Sequence, residues 1–273
     1  VLLQDGRLSH PVTGVFDTSI TGAIKRFILK TPIANFIYIA PGSVADYVGV
    51  YGLSTLKMFY DAGFNNDNVR ITGSPRHEIL KLKVDQAKGE YNVKGKGEGK
   101  KITIIGTNYA NSRLKSQALI QKETITFCIK VIQEIKSTCI VRIKPHPSED
   151  IKDYSSFLIH KNVEILESKM PIEDVFASSS LIISIGSSVA LDAAVCQIPV
   201  FQICAALEFN RFMTEGLLTT YSKEETKNIL NDFFKNKDTL FNNTKTNFEI
   251  ELIDARKGWS SIATTVGWLS ELN

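Results

Sequence analysis

Four short segments of this 273-residue chain carry side chains whose types and spacing could do chemistry. In LIISIGSSVALDAAVCQIPVF, an apolar strand stops at Gly186, presents Ser187 and Ser188, and passes directly into an Ala-rich helix. Free backbone N–H groups at such a turn, with roughly half a positive charge from the aligned peptide dipoles, favour an anion, and two hydroxyls add donors. The plainer reading is that Ser187 or Ser188 only caps the helix, worth about 1 kcal/mol. In VRIKPHPSE, His146 stands just past a strand, fixed between Pro145 and Pro147. A histidine held rigidly there can donate a proton to a phosphate oxygen, because its ordinary pKa lies near working pH; the plainer reading is an exposed loop residue. Arg142 and Lys144 on the same strand could add positive charge to that edge or be solvated.

Two further segments belong to the first part of the chain. VLLQDG ends an apolar run on Asp5, a candidate general base, and Gly6, which lets the backbone turn closely past a ligand. An isolated Asp-Gly is also an ordinary turn. NVRITGSPRHEIL places Gly73, Ser74, Pro75 and Arg76 before a helix, where Arg76 could pair with a carboxylate or phosphate, or simply start that helix. His10, between Ser9 and Pro11, reads as loop. The sequence has no Gly-Lys-Ser/Thr phosphate loop, no GxSxG nucleophile, no HExxH, CxxC or EF-hand spacing, and so no candidate metal ligands. Gly95, Gly97 and Gly99 lack the preceding strand that a dinucleotide fingerprint needs.

The elements that must position these residues alternate. Apolar runs at 1–4, 36–40, 47–51 and 69–72 predict strands, with a helix over 53–62 closed by Gly63 and another starting at His77. Residues 85–101, rich in Lys, Gly and Glu, predict a linker. Beyond it the spacing predicts strands at 101–106, 139–144, 163–166, 181–185 and 200–203. Helices are predicted near 115–136, 172–177, 189–196, 224–234 and 259–272. Strands that read as unbroken Ile and Val runs between helices imply parallel sheets covered on both faces. The expected organisation is an incomplete first domain over 1–95 and a second over 96–273, whose last helix could pack back on the first. The chain starts without Met, as though its opening strand and helix preceded residue 1.

Composition excludes little. A net charge of +3, with 22% charged residues of both signs, gives no argument for nucleic acid. Cys128, Cys139, Cys196 and Cys204 sit in apolar runs, as free buried thiols do, which suggests a reducing, cytoplasmic compartment. No membrane span or signal peptide is read. Lys25, Arg26 and Lys30 flank apolar Phe27 to Leu29 and could dock on an anionic membrane at its inner face, although an ordinary amphipathic helix is the commoner outcome.

In this order, QDG, DYVGVYG, VRITGSPR, KPHP and GSSVALDAAVCQIP resemble the GT-B glycosyltransferases of bacterial surface-polysaccharide synthesis. The sialyltransferases and polysialyltransferases are the nearest groups, with CDP-glycerol glycerophosphotransferases and UDP-GlcNAc 2-epimerases as architectural relatives. The resemblance implies two Rossmann-like domains, the second binding the donor. It implies a nucleotide-activated sugar, possibly CMP-linked as donor, a capsule-type glycan or glycolipid as acceptor, and no metal or other cofactor. By it Asp5 would deprotonate the acceptor hydroxyl, and His146, Ser187 and Ser188 would bind the departing phosphate. Gln4 stands where the sialyltransferase motif has an acid, and Asp5 stands where the CDP-glycerol group has a His. Asp192 lies in the region where the epimerases carry a donor-binding glutamate. A nucleotide-sugar epimerase, a polyol-phosphate transferase and a non-catalytic nucleotide-binding module are the alternatives.

Overall fold

The structure, a computed structural model, describes residues 2–3, 47–61, 66–94, 100–108, 115–204, 217–235 and 258–272. They fall into two compact units. The smaller comprises Val1–Ile79, Arg211–Gly216 and Asn247–Asn273, and the larger Leu80–Asn210 and Leu217–Thr246.

In the smaller unit, strands β1 (Leu2–Leu3), β2 (Val48–Val50) and β3 (Val69–Ile71) pair in parallel in that order. Helix α1 (Leu53–Asp61) connects β2 to β3 and contributes Phe59 to a core with Val48, Val50 and Val69. Helix α2 (Pro75–Lys94) follows β3; its first turn belongs to this unit and the rest, from Leu80, to the larger one. The C-terminal helix α7 (Ser261–Glu271) belongs to this unit. Its Trp268 meets Tyr47 edge-to-face at 6.2 Å, and Arg70 pairs with Glu271 at 2.6 Å. Glu78, in the first turn of α2, accepts from the Ser260 hydroxyl and the Ile262 N–H, which ties the start of α7 to α2.

The larger unit is built on six parallel strands: β4 (Lys101–Ile105), β5 (Ile140–Lys144), β6 (Val163–Ile165), β7 (Leu181–Ile185), β8 (Val200–Ile203) and β9 (Thr219–Thr220). Their order is β6-β5-β4-β7-β8-β9. Every residue of β7 and β8 is buried, as a sheet covered on both faces requires. Helix α3 (Lys115–Ile135) turns Ile125, Cys128, Ile129 and Ile132 inward at helical spacing, and all four are fully buried. It packs against α6 (Lys223–Phe234), whose cap residue Ser222 accepts from the Glu225 N–H while Glu225 reaches back to the Tyr221 N–H. Helices α4 (Ile172–Ala177) and α5 (Val189–Val195) lead into and out of β7.

The α/β fold with parallel sheets is thus as the sequence implies. The linker expected at 85–101 is instead helical as far as Lys94. The segment earns its helix through Val84, which is buried, and Lys88, whose ammonium caps the carbonyl of Cys196 at the end of α5. α2 also begins at Pro75 rather than His77, as suits a residue with fixed φ and no N–H to leave unpaired. A 3₁₀ helix at Ile151–Ile159 and the two-residue β9 carry no periodicity that would announce them.

Candidate functional site

The chain leaves β4 for β5 and β6 on one side, then returns across β4 to lay down β7, β8 and β9 on the other. The reversal falls between β4 and β7. In an open parallel sheet such a switch point opens a crevice outside the carboxyl ends of the strands, because the loops on either side depart in opposite directions. Three loops therefore meet at one edge: 106–108 after β4, 145–149 after β5 and 186–188 after β7. β4 lies between the other two, so the outer loops stand about two strand spacings apart, roughly 10 Å, a span suited to a phosphate-bearing ligand.

The central loop is fixed by Gln121 of α3, buried at 3% exposure. Its carboxamide accepts from the Thr107 N–H at 2.8 Å and donates to the Thr107 carbonyl at 3.0 Å. Gly106 permits this: a Cβ there would stand 2.7 Å from the Gln121 amide. The Thr107 hydroxyl donates to the Ile185 carbonyl at 3.3 Å, joining this loop to the end of β7.

The second loop carries His146, exposed between its prolines. Glu149, itself buried, accepts from the His146 N–H at 2.9 Å and from the Tyr154 hydroxyl at 2.7 Å. Burial first, and then the Glu149 carboxylate, push the Tyr154 phenol far above its ordinary range, so it stays a donor. Tyr154 also bonds Gln121, so one buried network supports both loops. Lys144 is buried, and its ammonium donates to the carbonyls of Pro145 at 3.0 Å and Ser168 at 2.7 Å. Desolvation lowers its pKa. Arg142 points elsewhere. Its guanidinium holds Thr103, Ser178 and Ser179, closing the end of α4, which makes it a brace rather than a charge at the edge.

In the third loop Gly186 has φ +64°, a left-handed conformation that favours glycine. The buried Ser184 closes the turn, accepting from the Ser187 N–H at 3.3 Å and donating to the Ser187 carbonyl at 3.0 Å. Ser187 Oγ accepts from the Val189 N–H at 3.4 Å. Ser188 occupies the cap position, yet its exposed side chain makes no cap bond. Asp192 lies one turn further, buried, where its charge adds to the burial that pushes the Cys196 thiol up to about 12.

Gly73 and Arg76 belong to the smaller unit. Gly73 has φ +71° and donates to the Val50 carbonyl at 3.1 Å; Arg76 is exposed in the first turn of α2. Beside them His77, fully buried, stacks on Tyr51 at 5.0 Å. Asp5, Gly6, His10 and the Lys25–Lys30 stretch lie outside the described residues. Among the described residues no group of His, Cys, Asp and Glu is placed to hold a metal ion, and no helix is long and apolar enough to cross a membrane.

No protein-family model and no curated protein matches this sequence. Solved structures do resemble it. The wall teichoic acid polymerase TagF, in a variant soaked with CDPG, matches with a TM-score of 0.59 at 15% identity over 99% of this chain and 67% of its own. MnaA of S. aureus in complex with UDP gives 0.60 at 14% identity over 99% and 74%. UDP-GlcNAc 2-epimerase from Neisseria meningitidis bound to UDP-GlcNAc gives 0.58 at 12% over 89% and 68%. The shared fold is of the GT-B type.

Within this GT-B-type fold, several site residues had no sequence signal. Gln121 and Tyr154 reach the loops from elements distant in sequence. Asn108 and Ser148, which bond each other, are ordinary loop residues by type. Glu149 alone was legible in part, standing three residues beyond His146 as a side-chain acceptor does when it closes a turn.

Proposed function

We propose that the protein is a GT-B transferase acting on a nucleotide-activated sugar in bacterial surface-polysaccharide synthesis, with the donor's phosphate held at the carboxyl edge of the larger sheet. The convergence of the 106–108, 145–149 and 186–188 loops at the topological switch point carries this reading. Breaking a sugar–phosphate bond builds charge on the departing oxygen. Donors fixed before the reaction stabilise that charge more in the transition state than in the ground state. His146 donates to it, and Gly186, Ser187 and Ser188 bind the phosphate. Lys144 and Pro147 frame the histidine, and Asp192 stands one turn behind the serines. Asp5 with Gly6 takes the acceptor's proton, and Gly73 and Arg76 are further candidates for contact with substrate; the acceptor is a glycan or glycolipid met at the inner face of the membrane. The donor is the one small molecule the scheme needs, with no metal. A CMP-linked donor is the specific form the Asp-Gly, His-Pro and Ser-Ser motifs favour.

The test is turnover of CMP-, CDP- and UDP-activated donors by the wild type and by His146→Ala. The variant is expected to lose about 10²- to 10⁴-fold, and full retention would remove the histidine from the scheme. A second reading, a UDP-GlcNAc 2-epimerase, draws on the likeness to the Neisseria meningitidis enzyme bound to UDP-GlcNAc. Incubation with UDP-GlcNAc and no acceptor separates the two, since only an epimerase converts the sugar to its C2 epimer.

A further inference from the structure

Two donors converge on one nitrogen of His146. The Ser148 backbone N–H points to Nδ1 at 3.2 Å, and the Ser148 hydroxyl lies 2.8 Å from the same atom. That hydroxyl is itself engaged from behind, where the Asn108 carboxamide donates to its oxygen. The Ser148 N–H requires a lone pair on Nδ1, so the hydroxyl, accepting from Asn108, gives its own hydrogen to that nitrogen. A nitrogen that accepts cannot carry the proton, so in the neutral ring the hydrogen sits on Nε2. Nε2 makes no hydrogen bond to a described residue, and the ring is exposed.

We propose that Asn108 and Ser148 are positioning residues that hold His146 as the Nε2–H tautomer, with the donor nitrogen turned toward the ligand. Asn108 follows β4 and Ser148 follows β5, so the relay also couples the histidine to the loop at the switch point. The inference deepens the proposed function and rests on it for the identity of what Nε2–H meets, a phosphate oxygen. The tautomer itself follows from the bonds alone. Lys144 and Glu149 face the backbone of this loop and leave the ring's tautomer to the relay: the ammonium holds the Pro145 carbonyl and the carboxylate holds the His146 N–H.

The experiment is long-range ¹H–¹⁵N correlation of the histidine imidazoles in the full chain, with His146 assigned by its loss in His146→Ala. In the wild type with the ring neutral, Nδ1 is expected at the shift of an unprotonated nitrogen and Nε2 at that of a protonated one. Ser148→Thr keeps the hydroxyl and keeps this pattern. Asn108→Asp replaces the donor behind the hydroxyl with an acceptor and turns the hydroxyl away from Nδ1, so that the Ser148 N–H alone holds that nitrogen and part of the population takes the Nδ1–H form. Its donor turnover falls about tenfold or more in kcat with KM little changed, because positioning in the transition state is what is lost. A wild-type ring protonated on Nδ1, or an Asn108→Asp ring indistinguishable from wild type, overturns the relay. A relay that behaves as stated in a protein whose His146→Ala variant turns over donor at the wild-type rate leaves the tautomer standing and refutes the reading of the site.

Discussion

Glu149, buried apart from 8% of its surface, accepts two hydrogen bonds, one from the His146 backbone and one from Tyr154. Glu149→Ala leaves a buried phenol without that acceptor and frees the turn, so it is expected to destabilise the fold by about 1–3 kcal/mol in urea unfolding. Tyr154→Phe removes the phenol's bonds to Glu149 and Gln121 and leaves the carboxylate its backbone partner, for about 1 kcal/mol. Equal losses in the two variants would show that the turn does not depend on the carboxylate. His146 was legible because two prolines announce a constrained position, and Gly186 because a strand that stops on glycine must turn there. Gln121, Asn108 and Tyr154 were not, since each is brought to the edge by tertiary packing and its type carries no local signal.

Parallel strands flanked by covering helices are the most readable elements, because burial on both faces leaves a continuous Ile and Val run. β7 and β8 match the expected 181–185 and 200–203 to the residue for that reason. The second half of α2 was hidden by composition: its Lys, Glu and Gly mimic a linker, and the buried Val84 and the capping Lys88 do their work across distances that periodicity does not see. Arg142 shows the same limit inside a strand. Its length and charge suggested the ligand edge, while its guanidinium closes α4 through Ser178 and Ser179. Arg142→Met is therefore expected to cost about 2–3 kcal/mol of stability and to leave nucleotide affinity unchanged. Lost affinity with unchanged stability would return the residue to the site.

All four cysteines are buried and unpaired. Burial raises Cys128 and Cys196 to about 12 and Cys139 to about 11, and Tyr154 is raised as well. Each keeps its proton in the folded chain where the unfolded chain releases it, so stability falls as pH rises above the ordinary thiol value of 9.0. The slope is up to about 1.4 kcal/mol per pH unit for each such group. Lys144 acts oppositely: its lowered pKa makes stability rise between its folded value and the ordinary 10.5, but it is one group against several. Denaturant unfolding in reducing buffer should show a net decline from about pH 9 upward; a flat profile to pH 11 would contradict the burial of these groups.

At the same scale, the fold is of a type shared by TagF, MnaA and the 2-epimerases, and the larger unit's switch point is where a ligand belongs. Hydrogen-exchange mass spectrometry of the full chain with and without CMP, CDP and UDP tests this directly. At least one nucleotide is expected to slow exchange together in the peptides spanning 105–108, 145–149 and 185–189. Protection elsewhere in the chain, with these three loops unchanged, would contradict it.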